Sequence, residues 1–503
     1  MKNSSKNLIL SILCNIVTIL IGFIAQKLFI KYLGSEYLGL NGLFNNMVSM
    51  LGIVELGIGS AIVYNLYKPI VNKDKETIKS LMKFYKKAYN IIAVIVFIVA
   101  IIIIPFLPKL INDITVNTNI YLIYMMFIID IVCSYLLSYK RSILYADQKN
   151  YIINIIHMAY LIILNFIQLI LLYFTKNYYY YLVIKIIMRI AENIIITLYT
   201  NKKYSYLKDK NIKKLDKKIE EDIFKKVKAL FFHKVGSFIV LGSDNLIISR
   251  FIGIISVGLY SNYFLVINAI QTMFNQGILA LTPSVGNMLV NSNYDKNFET
   301  FKKIRFLNYW LACFSGVAIL LIMDSFITLW LGNKFVLNKL VLVVLVFNYY
   351  QKLMRSSYNT FKEAAGIYNE DRFVPLIESI INILFSILLI KPFGLAGVFM
   401  GTVISGLSLW CYSYPKFVYK KLFNRKYVDY AKETLGYIIL FLVICIVCIL
   451  ISINVNFSNN WYDFFKDILI ATTIPNIIMT IIFTKTDNFN YFKKIILNKI
   501  KKQ

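Results

Sequence analysis

Unbroken apolar runs constrain this chain more than any other feature. Residues 89–108 read YNIIAVIVFIVAIIIIPFLP, and residues 435–453 read LGYIILFLVICIVCILISI. A helix rises 1.5 Å per residue, so roughly 20 such residues cross a hydrocarbon core about 30 Å thick. The runs lack the alternating polarity of barrel strands, so they predict helices. The pattern gives about fourteen spans, near 7–32, 37–66, 84–108, 119–144, 151–174, 178–200, 229–252, 258–290, 305–330, 336–361, 371–391, 394–414, 435–456 and 463–484. The expected fold class is an all-α polytopic integral membrane protein.

Charge is sparse and clumped. Only 16% of residues are charged, yet the net charge is +29. The excess sits in alternate connections between apolar runs, not in a patch suited to nucleic acid. Connections after even-numbered spans, both termini, and the turns at 140–150 and 352–372 hold most Lys and Arg. The opposite side carries few, such as Lys109, Lys176, Lys334 and Lys391. The positive-inside rule then predicts both termini in the cytoplasm. The first span has no small-residue cleavage site and reads as a retained helix. All six cysteines lie inside expected spans. Cys445 and Cys448 form a C-x-x-C in the middle of an apolar run, which reads as small apolar packing and not as a redox or zinc site.

The chain repeats itself. KYLGSEYLGL at 31–40 and RFIGIISVGL at 250–259 share their glycines at a shift of 219 residues, and the same shift carries Ala146 onto Ala365. A shift of six spans makes both copies cross the membrane in the same direction, so a pseudo-two-fold along the membrane normal would relate them. The expected organisation is an N-terminal lobe at 1–200, a basic cytoplasmic linker at 201–228, a C-terminal lobe at 229–415, and two extra spans with a basic tail at 416–503. The linker reads either as an amphipathic helix on anionic headgroups or as a solvated connection. Glycines at 52, 57 and 59 and at 394, 397, 401 and 406 mark close helix contacts.

Nothing in the sequence points to an enzyme or a cofactor. It has no phosphate-cradling G-x-x-x-x-G-K-[ST], no D-x-D, and only two histidines, too few for a histidine metal site. Transport driven by a gradient or by the membrane potential remains. Ionisable residues inside spans usually face a cavity or a partner. Lys185, Arg189 and Glu192 are spaced by four and three, hence on one helical face; they line a cavity, or Arg189 and Glu192 form a buried pair. Lys27, Lys31, Lys234 and Arg250 read as cavity cations or as snorkelling ends of their spans. Asp244 could pair with a cation, bind a coupling ion or cap a helix break. Glu55, Asp130 and Glu378 are acids within spans and coupling-site candidates. The basic excess in spans 1, 6 and 7 suits an anionic cargo such as a phosphate or diphosphate.

The stretches KYLGSEYLGLNGLFNN (31–46), ELGIGSAIVYNLYKPI (55–70), RSILYADQKNYI (141–152), EAAGIYNEDRFVPLIESIINI (363–383) and FGLAGVFMGTVIS (393–405) resemble the polysaccharide-biosynthesis flippases of the multidrug/oligosaccharidyl-lipid/polysaccharide exporter superfamily. The resemblance implies two six-helix lobes plus two helices, rocking around a cationic cavity. It implies transport of undecaprenyl-diphosphate-linked oligosaccharide units to the outer leaflet of a bacterial plasma membrane, for O-antigen, capsule or a related glycan. Membrane lipids and glycan-assembly proteins such as a polymerase are the implied partners. After Gly22-Phe23 come Ile24, Ala25, Gln26 and Lys27, where the lipid II branch has an Arg-Asp pair, which argues against a peptidoglycan-precursor role. A multidrug/cation antiporter is the alternative. A membrane glycan polymerase or ligase fits less well, because such enzymes need a large outer loop and the longest expected here is near 454–463.

Overall fold

A computed structural model describes residues 2–55, 58–112, 114–209, 212–367, 370–455 and 460–500. The protein is all-α. The described residues form eighteen α-helices of eight residues or more. In chain order these are α1 (Lys2–Leu33), α2 (Ser35–Leu51), α3 (Ile58–Val71), α4 (Lys75–Ile103), α5 (Ile120–Tyr135), α6 (Tyr139–Ala146), α7 (Asn150–Thr175), α8 (Tyr178–Lys203), α9 (Lys217–Phe251), α10 (Ile254–Leu279), α11 (Thr282–Asn291), α12 (Tyr294–Leu331), α13 (Lys339–Ala364), α14 (Val374–Phe393), α15 (Leu395–Ser408), α16 (Tyr427–Asn454), α17 (Asn460–Phe483) and α18 (Asp487–Ile500). Two compact units divide the chain, residues 1–261 and 262–503.

Among the described residues, nine helices are long and apolar enough to cross a membrane, or ten if the bent pair α5–α6 is one span. The expected count of about fourteen is therefore not reached on length and apolarity alone. Several regions expected as straight spans are broken or charged. The region 37–66 is α2, a 3-10 turn at Gly52–Glu55, and α3. The region 119–144 bends by 46° between α5 and α6. The region 258–290 breaks between α10 and α11 and still counts as one of the nine, Ile254–Leu289. α8 carries three ionisable side chains near its middle, which lower its apolarity for a structural reason given below. Part of the basic connection, from Lys217 on, is continuous with α9, while Ser205–Lys208 is a short 3-10 turn. Asp209 and the Lys213 carbonyl hold that connection to α4, through Lys79 Nζ at 2.9 Å and Ser80 Oγ at 2.8 Å.

The repeat is visible in the backbone of the first unit. Gly34 and Gly253, which the shift of 219 equates, both take positive φ, +90° and +122°, where a Cβ would be strained. They separate α1 from α2 and α9 from α10. Beyond these junctions α2 and α10 pack backbone to backbone. A Cβ on Gly39 would collide with the Ile254 carbonyl oxygen, and a Cβ on Gly258 would collide with the Ser35 carbonyl oxygen. Gly39 and Gly258 are repeat equivalents, and so are Ser35 and Ile254, so the contact is its own image. Gly42 meets its own equivalent, with a Cβ position 2.8 Å from Ser261 Oγ.

The register slips by one residue at the later turns. The amides of Asp147, Gln148 and Lys149 bond to the carbonyls of Ile143, Tyr145 and Leu144; those of Ala365, Gly366 and Ile367 bond to Phe361, Glu363 and Lys362. Gln148 and Gly366 both have positive φ. These turns superpose at a shift of 218, which equates Ala146 with Ala364, not with the Ala365 expected from sequence.

In the second unit, α14 and α15 form a close hairpin whose Gly397 and Gly401 lie against the backbone of Leu389 and Ser386. The side chain of Arg305 on α12 is buried against Tyr358, Tyr419 and Glu433. Tyr350 of α13 stacks on Phe441 of α16, ring centroids 4.1 Å apart. Cys445 and Cys448 are buried free thiols; both lie within α16.

Candidate functional site: a charged cavity in the first unit

The three ionisable residues of α8 share a face and find partners on three other helices. Asp130 of α5 meets Lys185 Nζ at 3.3 Å and Arg189 Nε at 3.4 Å. Glu192 Oε2 meets Arg189 Nη1 at 3.1 Å and Arg141 Nη2 of α6 at 3.2 Å. Glu192 Oε1 lies 2.9 Å from His157 Nδ1 of α7. The Glu192 side chain is 0% exposed. A carboxylate so buried persists only when paired and hydrogen-bonded. Aromatic faces complete the cluster, with Lys185 4.7 Å from the Phe127 ring centre and Arg189 5.0 Å from that of Tyr160.

The bend between α5 and α6 brings Arg141 to this cluster. Leu137 takes φ +68° at the bend. Asn193 of α8 secures it, donating to the carbonyls of Cys133 and Leu136 at 2.8 and 2.9 Å while accepting from Arg141 Nη2 at 3.0 Å. Arg141 and His157 carry no sequence-level candidacy. Arg141 falls where the expected span 119–144 overlaps the expected basic turn 140–150, and neither assignment brings it to the α8 cluster. No Gly or Pro marks the bend, so the sequence offered little signal beyond Ser134 and Ser138.

Arg141 and Arg189 both line a cavity of about 800 Å³. Its walls also hold Glu55, five tyrosines (64, 67, 89, 135 and 145), Ser134, Ser138, Ser142 and Asn150. Two guanidinium groups thus face one carboxylate, and Glu55 accepts a hydrogen bond from Tyr89 at 2.9 Å. Asp130 and Glu192 are not among the lining residues; they hold the arginines in place. Arg141 Nε and Asn150 Oδ1 are buried and have no hydrogen-bond partner among the described residues. Buried polar atoms are nearly always satisfied, so these two mark the wall between Arg141 and Asn150 as incompletely paired. Planar donors of this kind suit phosphate or carboxylate oxygens, with tyrosine rings and hydroxyls alongside.

The other candidates lie elsewhere. Lys27 and Lys31 of α1 are exposed, Lys31 beside the ring of Tyr32 at 5.7 Å. Arg250 is exposed at the end of α9 and donates to Asn112 Oδ1 at 3.1 Å. None of these three lines the cavity. Asp244 is buried in α9. The side chains of Lys234 and His233 lie outside the described residues, as does Gly57. Glu378 belongs to the second unit and pairs there with Arg355 at 2.7 Å. Asp130 and Glu378 are therefore members of ion pairs and not isolated acids.

A family model described as polysaccharide biosynthesis protein matches residues 4–288. The chain belongs to this family. No curated protein matches it in sequence. Among solved structures, it is similar to the lipid II flippase MurJ in an inward closed conformation, with 15% identity and a TM-score of 0.64 over 95% of this chain and 99% of that one. It is similar to a multidrug resistance MATE family transporter of the MOP superfamily in an inward-facing conformation, with 14% identity and a TM-score of 0.54 over 78% of this chain and 91% of that one. A mutant of the Vibrio cholerae MATE transporter VcmN gives 12% identity and a TM-score of 0.51, over 84% and 99%. At these identities the likeness establishes the fold, which is that of multi-pass membrane transporters.

Proposed function

We propose that this protein is a flippase that moves an undecaprenyl-diphosphate-linked oligosaccharide from the inner to the outer leaflet of a bacterial plasma membrane, for assembly of a surface polysaccharide such as O-antigen or capsule. The observation that carries the reading is the first unit's cavity, where Arg141 and Arg189 line a tyrosine-rich space. The diphosphate would take the guanidinium groups, sugars would lie against the tyrosine faces, and the prenyl chain would stay in the bilayer. Membership of the polysaccharide-biosynthesis family supports a glycan cargo, and the MurJ-like fold supports a lipid-linked one. The protein would perform no covalent chemistry, work by alternating access with both termini in the cytoplasm, and hand its cargo to a polymerase.

The test is depletion in the native cell. Surface polysaccharide should fall while undecaprenyl-diphosphate-linked oligosaccharide accumulates on the cytoplasmic leaflet. If both stay normal and sensitivity to cationic drugs rises, an exporter of cations replaces this reading.

A further inference from the structure

α4 carries an exposed stripe that the other described residues leave uncovered. Lys83, Lys86 and Lys87 follow one another at the spacing of one helical face and lie at the boundary between the polar first turns of α4 and its apolar remainder. Below them Ile91, Val94 and Ile95 continue the same face, and all six are exposed. Together they line a hollow of about 480 Å³. The aliphatic strip runs on through Ile98, Ile101 and Ile102, which are also exposed, while Leu81, Tyr85, Tyr89, Ile92 and Val96 turn the opposite face into the unit.

The three lysines have no ion-pair partner among the described residues. Glu76 and Asp209, two acids close to the start of α4, both pair with Lys79, at 2.6 and 2.9 Å. Lys140 lies within electrostatic range of Lys86 and adds to the positive field. Three like charges at the spacing of helical neighbours repel one another. An anion between them removes that repulsion, and a branched aliphatic strip directly below favours one that carries hydrocarbon chains.

We propose that this face is a binding site for an anionic phospholipid, with its phosphate held by Lys83, Lys86 and Lys87 and an acyl chain laid along Ile91, Val94 and Ile95. Charge complementarity selects the lipid over a partner helix, which would have to bring three carboxylates to headgroup depth. The site is separate from the cavity that holds Arg141 and Arg189, and it does not depend on the flippase reading.

The test uses the full chain in phosphatidylcholine nanodiscs containing a titrated fraction of phosphatidylglycerol, with native mass spectrometry of lipids retained after release. The K83Q/K86Q/K87Q variant is compared with K485Q/K493Q/K494Q, which removes the same charge from exposed positions in the C-terminal region. Each interfacial lysine contributes about a fivefold preference for anionic lipid, so the α4 variant should lose on the order of a hundredfold in phosphatidylglycerol retention. The control variant should retain it as the unaltered protein does. Equal retention by both variants overturns the proposal, as does equal retention of phosphatidylcholine by the unaltered protein. Farnesyl diphosphate is added as a competitor. Its preferential capture by the three lysines, at the expense of phosphatidylglycerol, would show a prenyl diphosphate to be the occupant and would equally overturn the proposal.

Discussion

Glu192→Gln should lower stability and strengthen anion binding at the same time. The carboxylate holds Arg141, Arg189 and His157 within 3.2 Å and is wholly buried. Breaking a buried ion pair costs about 3–5 kcal/mol when the partner is left alone. Here neither arginine is left alone, since Arg189 keeps Asp130 and Arg141 keeps Asn193 Oδ1. Both are also about one-fifth exposed, at 20% and 23%. A loss of about 2 kcal/mol follows. The substitution raises the charge behind the cavity by one, worth roughly 1 kcal/mol to a bound anion, or about fivefold in affinity. Thermal unfolding of the purified protein reads the first effect, and titration with farnesyl diphosphate reads the second. Adding Arg141→Gln should cost less than the sum of the single changes, by about 1 kcal/mol or more, because the two groups are in contact. Affinity that falls in step with stability would refute the argument, since Glu192 would then not act as a counter-charge to the cavity arginines.

Other substitutions test neighbouring links. Gly39→Ala and Gly258→Ala should each destabilise by about 1–3 kcal/mol, and the double variant should cost clearly less than their sum, because the first Cβ already separates α2 from α10; thermal unfolding of all three variants checks this. Arg189→Ala should reduce transport about tenfold or more through loss of a charge-assisted bond, whereas Lys176→Ala, at an exposed turn, should leave it near normal at matched expression. Asp74 caps α4 by accepting from the Thr77 amide at 3.0 Å, and the Thr77 hydroxyl and amide hold its carboxyl below the usual carboxylate range. Its stabilising contribution is therefore present above the unfolded-state value near 4 and is lost as pH falls through the lower folded-state value. Asp74→Ala should cost about 1 kcal/mol at neutral pH and flatten the acid limb of the stability profile.

The helical membrane architecture was legible because apolar run length is a direct physical signature, and the repeat was legible because Gly34 and Gly253 are needed for their backbone conformation. The ion pairs within α8 were partly legible, since spacing alone puts Lys185, Arg189 and Glu192 on one face. Their partners were not. Asp130, Arg141 and His157 reach Glu192 or Arg189 from other helices, and Arg141 does so only because α5 and α6 bend where no Gly or Pro announces it. Broken helices shift the span boundaries for the same reason: hydropathy persists across the 3-10 turn at Gly52–Glu55 and the break at 280–281 while hydrogen bonding changes. The one-residue slip between the shifts of 219 and 218 needed backbone hydrogen bonds to be seen.

On the flippase proposal, Arg141 and Arg189 carry the diphosphate of a lipid-linked glycan. The most direct measurement reconstitutes the purified protein in liposomes with a fluorescent prenyl-diphosphate disaccharide and follows the label's exposure to a membrane-impermeant quencher. Translocation by the unaltered protein is expected, with at least a tenfold slower rate for R141Q/R189Q and an unchanged rate for K176A. Translocation by R141Q/R189Q at the unaltered rate, or movement of a cationic dye but not of the diphosphate lipid, would contradict it.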